Sequence, residues 1–304
     1  GQGGRVIVPS LTFIGSVTPI LFQNAEPIFV DVARDSWLID PDVLETTLAR
    51  YAKSHRPVKA VIGVDLYGQP CDAAVYGPIC ERYGAELILD SAESMGSFVG
   101  ERHAGKGARL ACYSFNGNKI MTTSGGGALA SDEPALVRRA RNLAQQARLP
   151  VAHYEHEEYG YNYRLSNILA AIGRAQLEAL EDRVAQRRAA FSRYKSSLGG
   201  IAGVTFMPEI AGARANRWLT VAMLARDSGL QPEVVRLALE EENIESRTVW
   251  KPMHLQPVFR DAEMVGGAVS EDILAQGLCL PSGPQVDDTV VGRIKARIEE
   301  VSKN

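Results

Sequence analysis

The first half of the chain alternates short, almost continuously apolar runs with segments of helical pattern. Six runs have the length and composition of strands: RVIVP (5–9), PIFVDV (27–32), KAVIGVDL (59–66), AELILD (85–90), ACYSF (111–115) and GGALAS (126–131). Strands that are apolar on both faces and alternate with helices are typical of a mostly parallel sheet covered by helices on both sides. The sequence therefore predicts an α/β fold.

Three segments between or after these runs have a helical pattern, namely 40–53, 71–84 and 132–148. The first and third of these segments begin with an aspartate, Asp40 and Asp132, and we predict that each is an N-cap. An aspartate suits this position because its carboxylate accepts hydrogen bonds from the first helical N–H groups. Pro41 at the first helical position supports the start after Asp40.

The rest of the chain is organised differently. A loop rich in His, Glu and Tyr (153–164) precedes a long helical stretch from about Ser166 to about Ser197, and the last third mixes strand-like and helical segments. We predict a large domain, a connecting helix and a smaller C-terminal α+β domain, over residues 1–165, 166–200 and 201–304.

Composition excludes several classes of protein. A formal net charge of −3 over 304 residues offers no electrostatic reason to bind a nucleic acid or an anionic membrane. No apolar run approaches the roughly 20 residues of a membrane-spanning helix, and the first residues lack the layout of a signal peptide.

The cysteines have no CxxC spacing, so neither a disulfide framework nor a zinc site is predicted. We expect a cytoplasmic protein with reduced thiols and no metal; the HxxH of His153 and His156 is predicted to lie on a loop.

Polar side chains follow three of the predicted strands. Asp65 ends one strand, Asp90 ends the next, and Ser114 and Lys119 follow a third. In open parallel sheets, ligands bind outside the carboxyl ends of the strands. The sequence therefore predicts that two carboxylates, a hydroxyl and an amine face one crevice.

Two kinds of site would place a lysine before a glycine-rich turn. A Walker A phosphate loop requires Gly before the lysine and Ser or Thr after it, whereas Asn118 and Ile120 flank Lys119. The other kind is a lysine that forms a Schiff base with pyridoxal phosphate. That cofactor also needs a carboxylate for its pyridinium nitrogen, donors for its phosphate and a flat group beside its ring. Asp90, Ser114 and Phe13 are the candidates for these roles.

Six blocks of the chain, in order, resemble the DegT-type nucleotide-sugar aminotransferases, a branch of the fold type I enzymes that use pyridoxal phosphate. The blocks are VIVPSLTF (6–13), VDLYGQP (64–70), LDSAES (89–94), CYSFNGNKIMTTSGGG (112–127), GYNYRLSNILAAIG (160–173) and ESRTVWKPMHLQPVF (245–259). The ensemble looks most like the subgroup that aminates UDP-4-keto-6-deoxy-N-acetylglucosamine in bacillosamine pathways of protein glycosylation. The resemblance implies glutamate as amino donor and a cytoplasmic homodimer with shared active sites.

The resemblance also implies roles for single residues. Lys119 would bind the cofactor covalently and act as the acid–base, and Asp90 would pair with the pyridinium. Ser114 would bind the phosphate, Phe13 would lie against the ring, and Asn162 would reach the phosphate of the neighbouring subunit. Three residues would lie near the sugar nucleotide: His254, Trp250 and Arg247.

Two departures from the family pattern stand out. Many members have glutamine three residues after the aspartate, where it donates to the phenolic oxygen of the cofactor; this chain has Glu93. A carboxylate donates only when protonated, so Glu93 is expected to keep a proton or to turn elsewhere. Members also have several dozen residues before the first block, including a Ser-Gly-Thr phosphate loop, so we expect the sequence to be incomplete at its start.

Two alternatives remain open at this point. Sugar dehydratases that use pyridoxal phosphate resemble these aminotransferases but have histidine in place of the lysine, and Lys119 argues against them. A non-catalytic regulatory protein that binds pyridoxal phosphate is the second, although no DNA-binding helix pair or basic face is evident in the sequence.

Overall fold

The computed structural model describes residues 3–303; residues 1, 2 and 304, at the outer ends of the predicted domains, lie outside this range. The strands are β1 (Arg5–Pro9), β2 (Glu26–Val30), β3 (Val58–Val64), β4 (Glu86–Asp90), β5 (Phe98–Val99), β6 (Arg102–His103), β7 (Leu110–Ser114), β8 (Gly127–Ala130), β9 (Val204–Phe206), β10 (Ala213–Arg214), β11 (Thr220–Leu224), β12 (Arg247–Thr248), β13 (Glu263–Val265) and β14 (Gly277–Leu280). The α-helices are α1 (Thr18–Phe22), α2 (Pro41–Ala52), α3 (Ala73–Arg82), α4 (Pro134–Ala144), α5 (Asn167–Glu178), α6 (Leu180–Leu198), α7 (Pro232–Glu241), α8 (Ala268–Gln276) and α9 (Asp288–Val301).

A seven-stranded sheet forms the centre of the molecule, in the order β13-β2-β1-β3-β4-β7-β8. Its neighbouring strands are parallel except for β7 and β8, which are antiparallel. Ile7, Ile28, Val61 and Leu89 on its inner strands are fully buried. The six predicted strands all belong to this sheet, so the prediction of a mostly parallel α/β fold is confirmed. The seventh strand, β13, comes from the last third of the chain.

Two of the predicted helix starts have different outcomes. The Asp40 carboxylate accepts hydrogen bonds from the N–H groups of Asp42 and Val43 and caps α2, as predicted. The prediction for Asp132 was wrong, because α4 begins at Pro134 and the Asp132 carboxylate instead pairs with Lys106. Proline is favoured at the first position of a helix, which moves the start of α4 past Asp132.

The long helical stretch is two helices rather than one. α5 ends before Ala179, whose backbone (φ −95°, ψ 6°) leaves the helical region, and α6 starts directly after it. The buried side chains of α6 include Tyr194 and Leu198, which join the core of the C-terminal part.

That C-terminal core lies against a four-stranded antiparallel sheet in the order β12-β14-β11-β9. Leu239 of α7, Leu278 of β14 and Ile294 of α9 are fully buried in it. A second cluster around the large sheet also contains Trp218 and Val249. Side chains from the last third of the chain therefore pack directly against the parallel sheet. None of the helices within residues 3–303 combines the length and apolarity needed to cross a membrane.

Candidate active site

Lys119 lies on the loop between β7 and β8. Its N–H donates to the Asn116 carbonyl at 3.0 Å, a turn that directs the chain back past the end of the sheet. Only 13% of the Lys119 side chain is exposed, and its Nζ lies 3.6 Å from Glu93 Oε1. The same Nζ lies 4.3 Å from the centre of the Trp218 ring. The amine is therefore held in a nearly closed position between a carboxyl group and an aromatic face.

Glu93 is the acidic neighbour of this amine. Its side chain is 5% exposed, and Glu93 Oε2 accepts a hydrogen bond from the Tyr67 N–H at 2.6 Å. Burial raises the pKa of Glu93 to about 8, against the opposing effects of Lys119 and the Tyr67 N–H. Because a carboxyl group with that pKa is mostly protonated at pH 7, Glu93 can donate a hydrogen bond, as glutamine does.

Asp90 is the last residue of β4 and reaches the same end of the sheet. Its Oδ2 accepts a hydrogen bond from Ser16 Oγ at 2.6 Å, and its Oδ1 accepts one from the Ala92 N–H at 3.1 Å. The Ser16 hydroxyl is in turn 2.8 Å from Thr12 Oγ1. These contacts fix the carboxylate of Asp90 while leaving the residue half-buried.

The prediction that Asp65 faces the crevice was wrong. The residue is fully buried, and its carboxyl oxygens accept hydrogen bonds from the Cys71 N–H and the Ser94 hydroxyl. Burial raises the pKa of Asp65 to about 6 despite these bonds. A strand-end aspartate often holds the following loop through its own hydrogen bonds, and Asp65 does so here.

Four aromatic rings form one side of the site. Trp250 is their centre, with ring centroids 4.9 Å from Tyr67, 5.6 Å from Phe13 and 6.3 Å from Trp218. The Trp250 N–H donates to the Tyr67 hydroxyl at 3.0 Å. Phe13 is 57% exposed, so its ring has a free face, as a residue that stacks on a ligand requires.

Ser114 and Asn162 lie in different surroundings. Ser114 ends β7, and its Oγ accepts a hydrogen bond from the Asn116 N–H at 3.3 Å, on the loop that carries Lys119. Asn162 lies on an exposed segment and forms an isolated bridge with Gln145. Within residues 3–303, no hydrogen bond or ion pair joins the Asn162 side chain to Lys119, Glu93 or Asp90.

His254 and Arg247 are also separate from Lys119 in the described part of the chain. His254 Nδ1 lies 2.6 Å from Ser10 Oγ, and its Nε2 lies 3.1 Å from Glu271 Oε1. Arg247 is exposed and pairs with Glu245. Of the three residues predicted near the substrate, Trp250 is the one that the structure joins to the aromatic side of the site.

Trp218, Tyr67 and Ser16 complete the site but were not predicted. Trp218 precedes β11, which begins at Thr220, and the backbone turns just before it at Arg217, where φ is +54°. The sequence signal for Tyr67 is its place just after the end of a strand, where parallel sheets bind their ligands. Nothing in the local sequence marks Ser16 as the partner of Asp90.

The two histidines of the HxxH lie on a loop, as predicted. His153 pairs with Glu155, and His156 Nδ1 lies 2.9 Å from the Gln146 carbonyl. Among residues 3–303, no group of three or more His, Cys, Asp and Glu side chains is placed to hold a metal ion.

The side chains at this end of the sheet match the chemistry of pyridoxal phosphate. Lys119 would supply an amine for the aldehyde, and Asp90 would supply a fixed carboxylate at a strand end, the charge that a pyridinium nitrogen requires. Glu93, with its raised pKa, would supply a donor beside the amine, and Phe13 and Trp250 would supply flat surfaces. The set fits the cofactor.

Comparisons with known proteins agree with this chemistry. The model of the DegT/DnrJ/EryC1/StrS aminotransferase family matches residues 1–299. EpsN of Bacillus subtilis (strain 168), provisionally named a pyridoxal phosphate-dependent aminotransferase, is 46% identical over 96% of this chain and 76% of its own length. A GDP-perosamine synthase of Vibrio cholerae is 31% identical over 96% of this chain and 78% of its own.

Solved structures show the same fold. The crystal structure of a DegT DnrJ EryC1 StrS aminotransferase from Brucella abortus is 28% identical, with a TM-score of 0.91 over the whole chain and 81% of that protein. These similarities confirm the fold type and the cofactor predicted from the sequence. The chain belongs to the DegT/DnrJ/EryC1/StrS family and is a sugar aminotransferase that depends on pyridoxal phosphate.

Proposed function

We propose that this enzyme transfers the amino group of glutamate to a nucleotide-linked keto sugar, with UDP-4-keto-6-deoxy-N-acetylglucosamine as the first candidate. The observation that carries the proposal is the position of the Lys119 amine, 3.6 Å from Glu93 and beside the strand end that bears Asp90. The six sequence blocks support the choice of sugar. The GDP-perosamine synthases among the relatives make a GDP-linked sugar the second candidate.

Pyridoxal phosphate supplies an electron sink and carries the amino group from one substrate to the other. In this proposal, Lys119 would hold the cofactor through its Nζ and, when this amine is free, would move a proton at the amine-bearing carbon. Asp90 would pair with the pyridinium nitrogen, with Ser16 and the Ala92 N–H fixing its two oxygens. Glu93 would donate to the phenolic oxygen, because its raised pKa favours the protonated form at pH 7.

The remaining predicted residues bind the ends of the two ligands. Ser114 contributes to the phosphate site from the loop of Lys119, and Phe13 covers one face of the cofactor ring. Trp250 extends the same aromatic side toward the sugar nucleotide. Two more residues are assigned to that ligand by resemblance alone: His254 and Arg247. We place this chemistry in the cytoplasm, with residues 1–165 as the cofactor domain, 166–200 as the connecting helices and 201–304 as the smaller domain.

The active enzyme is proposed to be a homodimer in which Asn162 serves the partner's cofactor phosphate. Exposed apolar side chains support this arrangement: Tyr159 is 91% exposed, and Ile168 and Leu177 of α5 are also exposed. Exposed apolar side chains of this kind favour association when they lie together on one surface.

The substrate assignment is tested with glutamate and a panel of UDP-, GDP- and dTDP-linked keto sugars, with the products scored by mass. The UDP-linked 4-keto-6-deoxy-N-acetyl sugar is expected to give the largest kcat/KM, and the same reaction without glutamate is the control. Preference for a GDP-linked sugar would replace the first candidate with the second. No amination of any keto sugar would refute the proposed function.

The shared site is tested by mixing two inactive variants, Lys119→Ala and Asn162→Ala. In a hybrid dimer of this kind both changes fall in one site and the other site is intact, so random exchange of subunits restores about a quarter of the wild-type activity. No recovery after verified exchange would show that Asn162 serves its own subunit.

A further inference from the structure

Trp218 is the second neighbour of the Lys119 amine, after Glu93. Its ring centre lies 4.3 Å from Nζ, within the range at which the face of an aromatic ring attracts a cation. Tryptophan has the strongest such attraction of the aromatic residues, and the effect grows where water is excluded. Trp218 is 4% exposed and the Lys119 side chain 13%, so water screens this contact only weakly.

The position of the ring is fixed by hydrogen bonds to the loops of both of its neighbours. Trp218 Nε1 donates to the Asn118 carbonyl at 2.8 Å, beside Lys119 itself. The Trp218 N–H donates to Asn216 Oδ1 at 2.8 Å, and Asn216 Nδ2 donates to the Glu93 carbonyl at 2.7 Å. The ring, the amine and the carboxyl group are therefore held in one rigid arrangement.

We propose that Trp218 is a binding site for the free ammonium group of Lys119, which it holds whenever this amine is not bonded to the cofactor. The inference rests on the proposed role of Lys119. A free ammonium carries a compact full charge that the ring face attracts. When the nitrogen is bonded to the aldehyde carbon of the cofactor, any charge is spread over the conjugated atoms, so the ring attracts it less. Trp218 thus favours the state in which Lys119 is free to act as acid–base.

A thermodynamic measurement separates this role from that of a simple apolar wall. Pyridoxal phosphate takes Lys119 away from the ring, whereas pyridoxamine phosphate has no aldehyde and leaves Lys119 free. If Trp218 is only an apolar wall, its loss weakens the binding of both compounds by the same factor. If Trp218 binds the ammonium group, its loss changes the ratio of their two dissociation constants. We therefore compare the dissociation constants of the two compounds by equilibrium dialysis against the whole chain freed of cofactor.

The variants form a matched set: Trp218→Leu lacks the ring, and Trp218→Phe keeps a ring face. The measured quantity is the dissociation constant of pyridoxal phosphate divided by that of pyridoxamine phosphate. We expect Trp218→Leu to lower this ratio about tenfold and Trp218→Phe to lower it about threefold or less. Trp218→Met, whose flexible side chain fills the same space without a ring, takes the place of the leucine variant if that variant fails to fold.

A ratio that is the same in the wild type and in the ringless variant overturns the inference, as does an equal shift in the ringless and phenylalanine variants. A wild-type chain that binds pyridoxal phosphate without the visible absorbance of a lysine-bonded cofactor refutes the proposed role of Lys119, and the inference with it. The two failures are therefore distinguishable.

Discussion

Glu93 makes a testable contribution to the pH dependence of stability. Its pKa is raised from the usual 4.5 to about 8, chiefly by burial. Between these two values the folded protein keeps a proton that the unfolded chain has released. Stability therefore falls as the pH rises through this window, by up to about 1.4 kcal/mol per pH unit. The replacement Glu93→Gln keeps the shape and the donor but does not titrate.

The size of the effect follows from the width of the window. A pKa difference of about 3.5 units corresponds to about 5 kcal/mol, reached above pH 8 and absent below pH 4.5, and about 4 kcal/mol of it falls between pH 5 and pH 9. The free energy of unfolding of Glu93→Gln minus that of the wild type should increase by roughly this amount from pH 5 to pH 9. The difference cancels the titration of groups that both proteins share.

The assay is urea unfolding of both proteins, freed of cofactor, at several values between pH 5 and pH 9 and at one protein concentration. The Glu93→Gln advantage should grow steadily with pH. A difference that stays constant across this range would mean that Glu93 is ionised throughout, and it would refute the assignment of Glu93 as a protonated donor.

Three further predictions concern the active site and its support. Lys119→Ala should abolish transamination, whereas Lys106→Ala, which removes an exposed lysine paired with Asp132, should retain it; steady-state assays with glutamate compare the two. Asp31 accepts hydrogen bonds from three N–H groups at the start of α8 and from the Ser270 hydroxyl, and although burial opposes it, these bonds lower its pKa. Asp31→Asn should therefore cost about 2–4 kcal/mol at pH 7, and urea unfolding should show this cost shrink below about pH 4, because Asp31 gives its stabilisation only while ionised. Gly68→Ala should lower the free energy of unfolding by about 2–4 kcal/mol, measured by thermal or urea unfolding. The reason is that φ at Gly68 is +98° and the new Cβ would meet Asn216 and lie 2.9 Å from the Trp218 backbone nitrogen. Unchanged stability would contradict the rigid arrangement of this region.

The large sheet could be predicted from the sequence because its strands are buried on both faces. A continuously apolar run such as AELILD can be identified as a buried strand from its own residues. Asp90 stands at the carboxyl end of this run, where parallel sheets bind their ligands. β13 has three residues, which is too short for a strand pattern to be recognised. No glycine marks a turn in the loop before it. The break between α5 and α6 at Ala179 involves neither glycine nor proline, and its sequence carries no signal.

The site was predictable where a residue follows its own strand and unpredictable where it depends on distant contacts. Asp65 and Asp90 look alike in sequence, but the Cys71 N–H and the Ser94 hydroxyl turn the Asp65 carboxyl group into the interior. Trp218 reaches Lys119 only because the backbone turns at Arg217 and Asn216 ties it to the Glu93 loop. The contacts of Trp218 and Asn216 join segments about a hundred residues apart, and they are set by the whole fold.

The role of Lys119 is tested most directly by finding which amine holds the cofactor. The holoenzyme is reduced with borohydride, which converts the bond between the cofactor and the lysine into a stable secondary amine, and the digested protein is mapped by mass spectrometry. We expect the added pyridoxyl mass on the peptide that contains Lys119, and its absence after prior conversion with glutamate. A label on another lysine, or no label in a coloured holoenzyme, would contradict it.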